Sequence, residues 1–177
     1  MADITAGTWK IDPTHSEVGF TVRHLMSKVR GKFEEFEGEI VTDENGLGSQ
    51  ANAKIVLSSV NTGTADRDNH LRSSDFFSVE NHPVMTFAST GVRDKGDTFV
   101  VLGDLTIKDT TKPVELTVEV LGEGGDPWGG TRLGLEATTE ISRKEFGIDF
   151  NIPVSGDKLM IGDRVAIHLT VEAVLQD

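Results

Sequence analysis

The dominant pattern along the chain is alternation of apolar and polar positions, the signature of half-buried β-strands. Val18, Phe20 and Val22 share one face, with Glu17, Gly19, Thr21 and Arg23 on the other. A second strand is expected from about Val29 to Val41. Its apolar set changes parity between Phe33 and Phe36, across Glu34 and Glu35, which predicts a β-bulge that bends the strand as barrel closure requires. After a turn at Asp43 to Gly46, Ala51, Ala53, Ile55 and Leu57 share a face, and Pro83 opens a strand with Met85, Phe87 and Ser89 on one side. Phe99 to Ile107, Val114 to Val120, Leu133 to Ile141 and Val165 to Ala173 continue the series. Turns at Asp94 to Asp97 and Asp109 to Pro113, and a Gly-rich loop from Gly122 to Gly130, separate the earlier members. The stretch from Asn61 to Val79 breaks the alternation and reads as one or two short helices, with Ser74 capping Asp75-Phe76-Phe77. Ser142 to Phe146 reads as a single helical turn.

Roughly eight strands with one apolar face each make an all-β domain whose sheet must close or stack. A closed antiparallel barrel of about eight strands can just hold one small ligand. A sandwich is the rival architecture. The barrel is favoured because the helical insertion falls between the third and fourth strands, where it can cap or line one end. No Pro/Ser-rich linker or charge block divides the 177 residues, so one domain is expected over residues 1–177.

Charge and composition narrow the function. The net charge of −12 opposes phosphate backbones and anionic headgroups, and the densest basic stretch, Arg23 to Lys32, is followed at once by Glu34, Glu35, Glu37 and Glu39. No nucleic-acid partner is expected. The absence of cysteine excludes disulfides, thiolate nucleophiles and Cys-ligated zinc. No apolar run reaches about 18 residues, so no integral membrane helix is expected. The first ten residues carry neither a basic nor an apolar signal region, and a cytoplasmic location is the expectation.

Candidate chemistry is sparse. The five histidines form no HxxxH or HExxH pair. Asp66, Asp68 and His70 have a spacing that suits a strand face but diverges on a helix, so they read as a solvated cap. His24 extends the apolar face of Val18, Phe20 and Val22. It is either a buried histidine with a protein partner or a polar group that meets a ligand head. Arg67 and His70 pose the same choice between structural cap and ligand contact. The Gly122–Gly130 loop lacks the Lys-Ser/Thr pair of a phosphate loop; Trp128 within it either anchors the loop or sits at a barrel mouth. There is no GxSxG elbow, and the paired glutamates lie on an outward face, as edge protection. No catalytic residue and no metal ligand are assigned.

The ordered motifs carry a resemblance. Trp9-Lys10-Ile11-Asp12-Pro13-Thr14-His15-Ser16 leads into Val18 to His24, then Gly31-Lys32-Phe33 and Phe36-Glu37-Gly38. Arg67-Asp68-Asn69-His70-Leu71-Arg72-Ser73 follows with Asp75-Phe76-Phe77 and His82-Pro83, then Gly103-Asp104-Leu105-Thr106-Ile107 before Thr111-Lys112-Pro113, and Ser142 to Ile148 before Gly162-Asp163. Over nearly its whole length the chain resembles the YceI-like family of bacterial polyisoprenoid-binding proteins. It differs from that family's pattern at Lys108-Asp109-Thr110, a change confined to a turn. The resemblance implies an extended, lipocalin-like, eight-stranded antiparallel barrel with a short helical insertion. It also implies a long isoprenoid lipid, of quinone or polyprenyl type, in the lumen, and a homodimer. Many members are periplasmic with a cleaved signal, which the N-terminus here does not show. No cofactor is expected beyond the bound lipid.

An isoprenoid offers almost no hydrogen bonds, so its site should be an apolar tube. The expected lumen residues are Val18, Phe20, Val22, Phe87, Phe99, Val101, Leu133, Leu135, Ile167 and Leu169, with His24 and Arg67 at the ligand head. The alternative is that these side chains fill a solid core. Small residues on the same face (Ala51, Ala53, Gly103, Ala137 and Ala173) favour leftover space. The competing functions are an enzyme on an apolar substrate with His24 as acid or base, and a filled-barrel interaction or stress-response module.

Overall fold

The computed structural model describes residues 4–156 and 158–177. The strands, in chain order, are β1 (Gly7–Ile11), β2 (Glu17–His24), β3 (Ser27–Phe33), β4 (Phe36–Thr42), β5 (Gln50–Val56) and β6 (Val60–Asn61). After helix α1 (Ala65–Arg72) come β7 (Val84–Asp94), β8 (Phe99–Ile107), β9 (Thr110–Gly125), β10 (Thr131–Ser142), β11 (Pro153–Ser155), β12 (Lys158–Leu159) and β13 (Ile161–Leu175).

Eight strands form a closed antiparallel ring in the order β1, β4, β5, β7, β8, β9, β10, β13, with β13 returning to β1 through the pairs Trp9–Leu175 and Ile11–Ala173. β13 is 15 residues long and outlasts β1. Beyond it, β13 pairs with β2, β2 with β3, and β3 with the two-residue β6. So β1 and β2 are two halves of one bent strand, and β3 and β4 are two halves of the next. Counted this way, the barrel is an eight-stranded up-and-down meander, the all-β architecture that the alternation predicts.

Both bends have local causes. Between β1 and β2, the Asp12 carboxylate accepts from the Thr14 amide at 3.0 Å and caps a 3-10 turn, Pro13–His15. Pro13 has no N–H to continue a ladder. Between β3 and β4, the amides of Glu34 and Glu35 donate to the Ser59 carbonyl at 3.1 Å and to Ser59 Oγ at 3.0 Å instead of to a sheet neighbour. The parity change at Glu34–Glu35 is therefore a full interruption of the strand rather than a bulge within it. The two interruptions lie side by side and divide the barrel into two halves.

One half is solid. Trp9, Leu133 and Ala173 are fully buried against each other, and the Trp9 Nε1–H donates to Thr42 Oγ1 at 3.0 Å. Phe99, Val118 and Ala137 form the layer above. The outer end of this half is tied by Arg132. Its guanidinium donates to Asp12 Oδ2 at 2.8 Å, Glu172 Oε1 at 2.9 Å and Asp126 Oδ2 at 2.9 Å. Asp126 also accepts from the Trp128 and Gly130 amides and so closes the β9–β10 loop. Trp128 is 77% exposed at this end, beneath Arg132. It stands at the solid end, not at a mouth.

The other half is splayed, because β3 has an outer neighbour only at Lys32 and Phe33. The segment from Thr62 to His82 covers the gap. Asp68 accepts from the Thr62 amide and hydroxyl at 2.9 and 2.6 Å, and Arg72 donates to the Ser58 and Val60 carbonyls, which pins α1 to the β5–β6 connection. After α1, residues 74–77 form a turn rather than a helix. Ser73, not Ser74, serves it, through its carbonyl to the Phe76 amide at 3.0 Å. Pro113, expected in a turn, lies inside β9 opposite Asp104, and the turn is at Lys108–Asp109. β10 pairs with β9 only from Thr117 onward, so the proline sits where β9 has a neighbour on one side alone.

Candidate functional site: an apolar cavity in the splayed half

The splayed half encloses a cavity of about 270 Å³. Val18, Phe20, Val22 and His24 of β2, Val29 and Phe33 of β3, and Ile161, Val165 and Ile167 of β13 form one wall. Arg67, His70 and Leu71 of α1, with Phe76 and Phe77 of the following turn, form the second. The third comes from Ile148, Phe150 and Ile152 after the 3-10 turn Arg143–Phe146. Met85, Ile107 and Ile141 line it deeper in the barrel. The accessible wall is almost entirely carbon.

Aromatic contacts stiffen the wall. Phe33 packs between Phe20 and Phe77 at centroid distances of 5.6 and 5.8 Å. His70 meets Phe76 and Phe150 edge-on at 5.0 and 4.9 Å, within the favourable range for such pairs. Its Nε2 lies 2.9 Å from Asp75 Oδ2, which turns the polar edge of the ring away from Phe76 and Phe150.

Arg143 holds the third wall. It is buried, and its guanidinium donates to the carbonyls of Gly162 at 2.8 Å, Ile148 and Phe150 at 2.9 Å each, and Ile161 at 3.3 Å. Burial lowers its affinity for the proton, with the charges of Asp163 and Asp149 acting the other way. Asn151 adds a reciprocal pair with Ile161, through Nδ2 to the carbonyl at 2.7 Å and Oδ1 from the amide at 3.0 Å. Burial would raise the Asp163 carboxyl. Hydrogen bonds from Ser142 Oγ and the Lys144 amide, with the charges of Lys144 and Arg143, outweigh that and hold it below the usual carboxylate range. A polar frame behind the wall thus fixes an apolar surface in front of it.

Of the twelve residues proposed from the sequence, Val18, Phe20, Val22, His24, Arg67 and Ile167 line the cavity. Phe87, Phe99, Val101, Leu133, Leu135 and Leu169 do not. Leu133 and Leu135 pack around Trp9; Phe99, Val101 and Leu169 belong to the layer above; and Phe87 packs against the core that floors the cavity. All six lie where the interior is solid. The small residues leave no space there either. The Phe87 ring occupies the place of a Gly103 side chain, Ala173 is wholly buried under Trp9 and Leu133, and Ala137 sits against Phe99 and Val118.

Arg67 is committed mainly to structure: Nε donates to Thr62 Oγ1 at 2.7 Å and Nη2 to the Thr62 carbonyl at 2.8 Å. The His24 side chain makes no hydrogen bond to any described residue, so the expected protein partner is not there. Asp66, Asp68 and His70 diverge on α1, and among the described residues no three metal-ligating side chains converge. The residues missed from the sequence lie in the non-alternating segments. The signal was present as apolar side chains in polar surroundings, at Phe76-Phe77 and at Ile148, Phe150 and Ile152, which must cover something.

The family model for the YceI-like domain matches residues 9–173. The chain belongs to the YceI-like family. A UPF0312 protein of Photorhabdus laumondii is 44% identical over 145 residues, covering 80% of this chain and 76% of its own. The protein YceI of Escherichia coli O157:H7 is 40% identical over 176 residues, covering 97% and 88%. A crystal structure of the Campylobacter jejuni YceI protein superposes with a TM-score of 0.74 at 28% identity, covering 100% of both chains. A polyisoprenoid binding domain from Saccharophagus degradans, implicated in plant cell wall breakdown, shares the fold with a TM-score of 0.70 at 16% identity, over 97% of this chain and all of its own. In this YceI-like barrel, the cavity is confined to the splayed half.

Proposed function

We propose that this YceI-like protein binds a long-chain isoprenoid lipid of quinone or polyprenyl type, tail inward, for carriage or storage without turnover. The carbon wall of the cavity is the observation that carries this reading. A wall with almost no accessible polar atom selects a ligand without hydrogen-bonding groups and leaves the polar head at the rim. The binding of polyisoprenoid by one domain of the same fold supports it. The volume lies near the lower end of small-molecule sites, about 300–1,000 Å³. It houses part of a long prenyl tail. Affinity then rises with chain length, by up to about 4 kcal/mol per five-carbon unit before ordering losses, and levels off when the cavity is full.

The deciding experiment is solvent extraction and mass spectrometry of the purified protein, paired with native mass spectrometry. A stoichiometric isoprenoid released on denaturation is expected. A protein that is empty and also fails to take up long-chain quinones and polyprenols overturns the reading. The same native spectra report whether the protein is the homodimer that the family resemblance implies.

A further inference from the structure

The rim of the cavity is apolar and faces solvent. Met26 is fully exposed at the tip of the β2–β3 hairpin, and Leu25, Ile152 and Val154 are each about half exposed. These residues form one lip. The Leu25 amide donates to the Met160 carbonyl at 2.8 Å, and the Met160 amide donates to the Ile152 carbonyl at 3.0 Å. Ile152 and Met160 also line the cavity, so the lip is continuous with its wall.

Leu25 adopts a left-handed backbone conformation (φ 55°), which an aliphatic side chain occupies at a cost that glycine or asparagine would avoid. The hairpin turn therefore presents leucine and methionine to water at some expense in stability.

Charge singles out the same place. From Val18 to Phe33 there is no carboxylate, in a chain whose net charge is −12. Arg23, Lys28, Arg30 and Lys32 are all exposed on the outer face of β2 and β3. Arg23 stands directly opposite Lys28, a like-charge pairing that works against the sheet. Its guanidinium also donates to the Leu25 carbonyl at 3.3 Å, which sets a cation beside the apolar tip. Lysines on the open edge of β3 guard against strand addition, but that role accounts neither for Arg23 on the paired strand β2 nor for an exposed leucine and methionine between the cations. In the linear sequence Glu34 to Glu39 follow at once. In the fold Glu34 and Glu35 sit at the strand interruption, with Glu34 accepting from Asn61, the residue opposite Lys32, while Glu37 and Glu39 lie beyond it on β4, in the direction of the solid half.

We propose that this lip docks on an anionic lipid surface, with Leu25, Met26, Ile152 and Val154 entering the interface and Arg23, Lys28, Arg30 and Lys32 meeting the headgroup phosphates. The cavity mouth then opens onto the bilayer, and a prenyl tail passes between membrane and barrel without crossing water. This rests on the reading of the cavity as a lipid-tail site.

The full-length protein is tested by sedimentation with vesicles of phosphatidylcholine and phosphatidylglycerol in equal parts, against vesicles of phosphatidylcholine alone. Binding to the anionic vesicles is expected at low salt and is lost near 0.5 M salt, where the screening length is only a few ångströms. Removing each cation costs about fivefold, so Lys28→Glu with Arg30→Glu should weaken binding by about 25-fold or more. Met26→Asp, which alters no cavity residue, should weaken it by at least about tenfold. Absence of binding to the anionic vesicles, or equal binding by the variants, overturns the proposal. So does a dimer that Met26→Asp converts to monomer without vesicle binding, because the lip is then an interface between copies. Uptake of farnesol from detergent micelles separates the two readings. It stays unchanged in the lip variants if the cavity holds prenyl tails, and it fails in the wild type if the cavity reading itself is wrong, whatever the vesicles show.

Discussion

Replacing Val22 with tryptophan puts the division of the barrel to a direct test. Val22 points into the cavity from β2, opposite Val165 on β13 and Val29 on β3, all three lining residues. Tryptophan adds roughly seven heavy atoms, which can enter the open space and exclude about that many carbons of a prenyl tail. At about 0.8 kcal/mol per buried carbon group the gross loss is roughly 5–6 kcal/mol. Release of the excluded carbons from ordering returns part of this, leaving about 2–3 kcal/mol, or roughly 30- to 150-fold in Kd. The open space keeps the substitution from overpacking, so unfolding stability should change by less than about 1 kcal/mol. Leu135→Trp is the counterpart in the solid half, where Leu135 packs around Trp9 and against the Phe99 layer. It should lose about 1–3 kcal/mol of stability while the folded protein keeps its affinity. Titration with a fluorescent polyprenyl probe, alongside urea denaturation of each variant, reads both quantities. Full affinity in Val22→Trp, or lost affinity with full stability in Leu135→Trp, would refute the division.

Three further outcomes follow from the packing and the charges. Arg143→Met leaves four backbone carbonyls behind the cavity wall without their donor, and denaturation should show a loss of about 3 kcal/mol or more; a loss under about 1 kcal/mol means that the wall does not depend on this frame. Gly103→Ala drives a methyl group into the Phe87 ring and to 2.8 Å from the Ala88 carbonyl, so stability should fall by about 1–3 kcal/mol with binding intact, and a neutral effect in denaturation would contradict that packing. The Arg132 and His15 side chains hold the Asp12 carboxyl down to about 2, from 3.8. A depressed folded-state value means that the stabilisation is present above about pH 4 and is lost as pH falls towards 2. After solvent screening it is about 1 kcal/mol, so Asp12→Asn should be less stable than wild type at pH 7 and level with it near pH 2; a difference that does not shrink in acid would rule out this linkage.

Period-two alternation is a property of the backbone itself, because successive side chains on a strand point to opposite faces. The alternation of Val18, Phe20 and Val22, or of Leu133, Leu135 and Ala137, was therefore enough to place these residues inward and to make the domain all-β. The break at Glu34–Glu35 was legible as a defect for the same reason. Height along the barrel axis has no such imprint. Phe20 and Leu135 carry the same local pattern, yet one borders a cavity and the other is packed under Trp9.

That difference is tertiary in origin. It depends on which strands lose a neighbour, on Ser59 drawing the Glu34 and Glu35 amides out of the sheet, and on Arg143 binding carbonyls from Ile148, Phe150 and β13 at once. Glycines and alanines in the alternating positions did not mark free volume, since a ring from a neighbouring strand fills the place at Gly103. The charge pattern divides in the same way. Composition and alternation are enough to define a strongly acidic protein of alternating strands. The tertiary structure alone doubles Arg23 to Lys32 back into one cationic hairpin, with Glu37 and Glu39 beyond the bend, because the turn sets Arg23 opposite Lys28 while the interruption at Glu34 and Glu35 sends the chain into another part of the barrel.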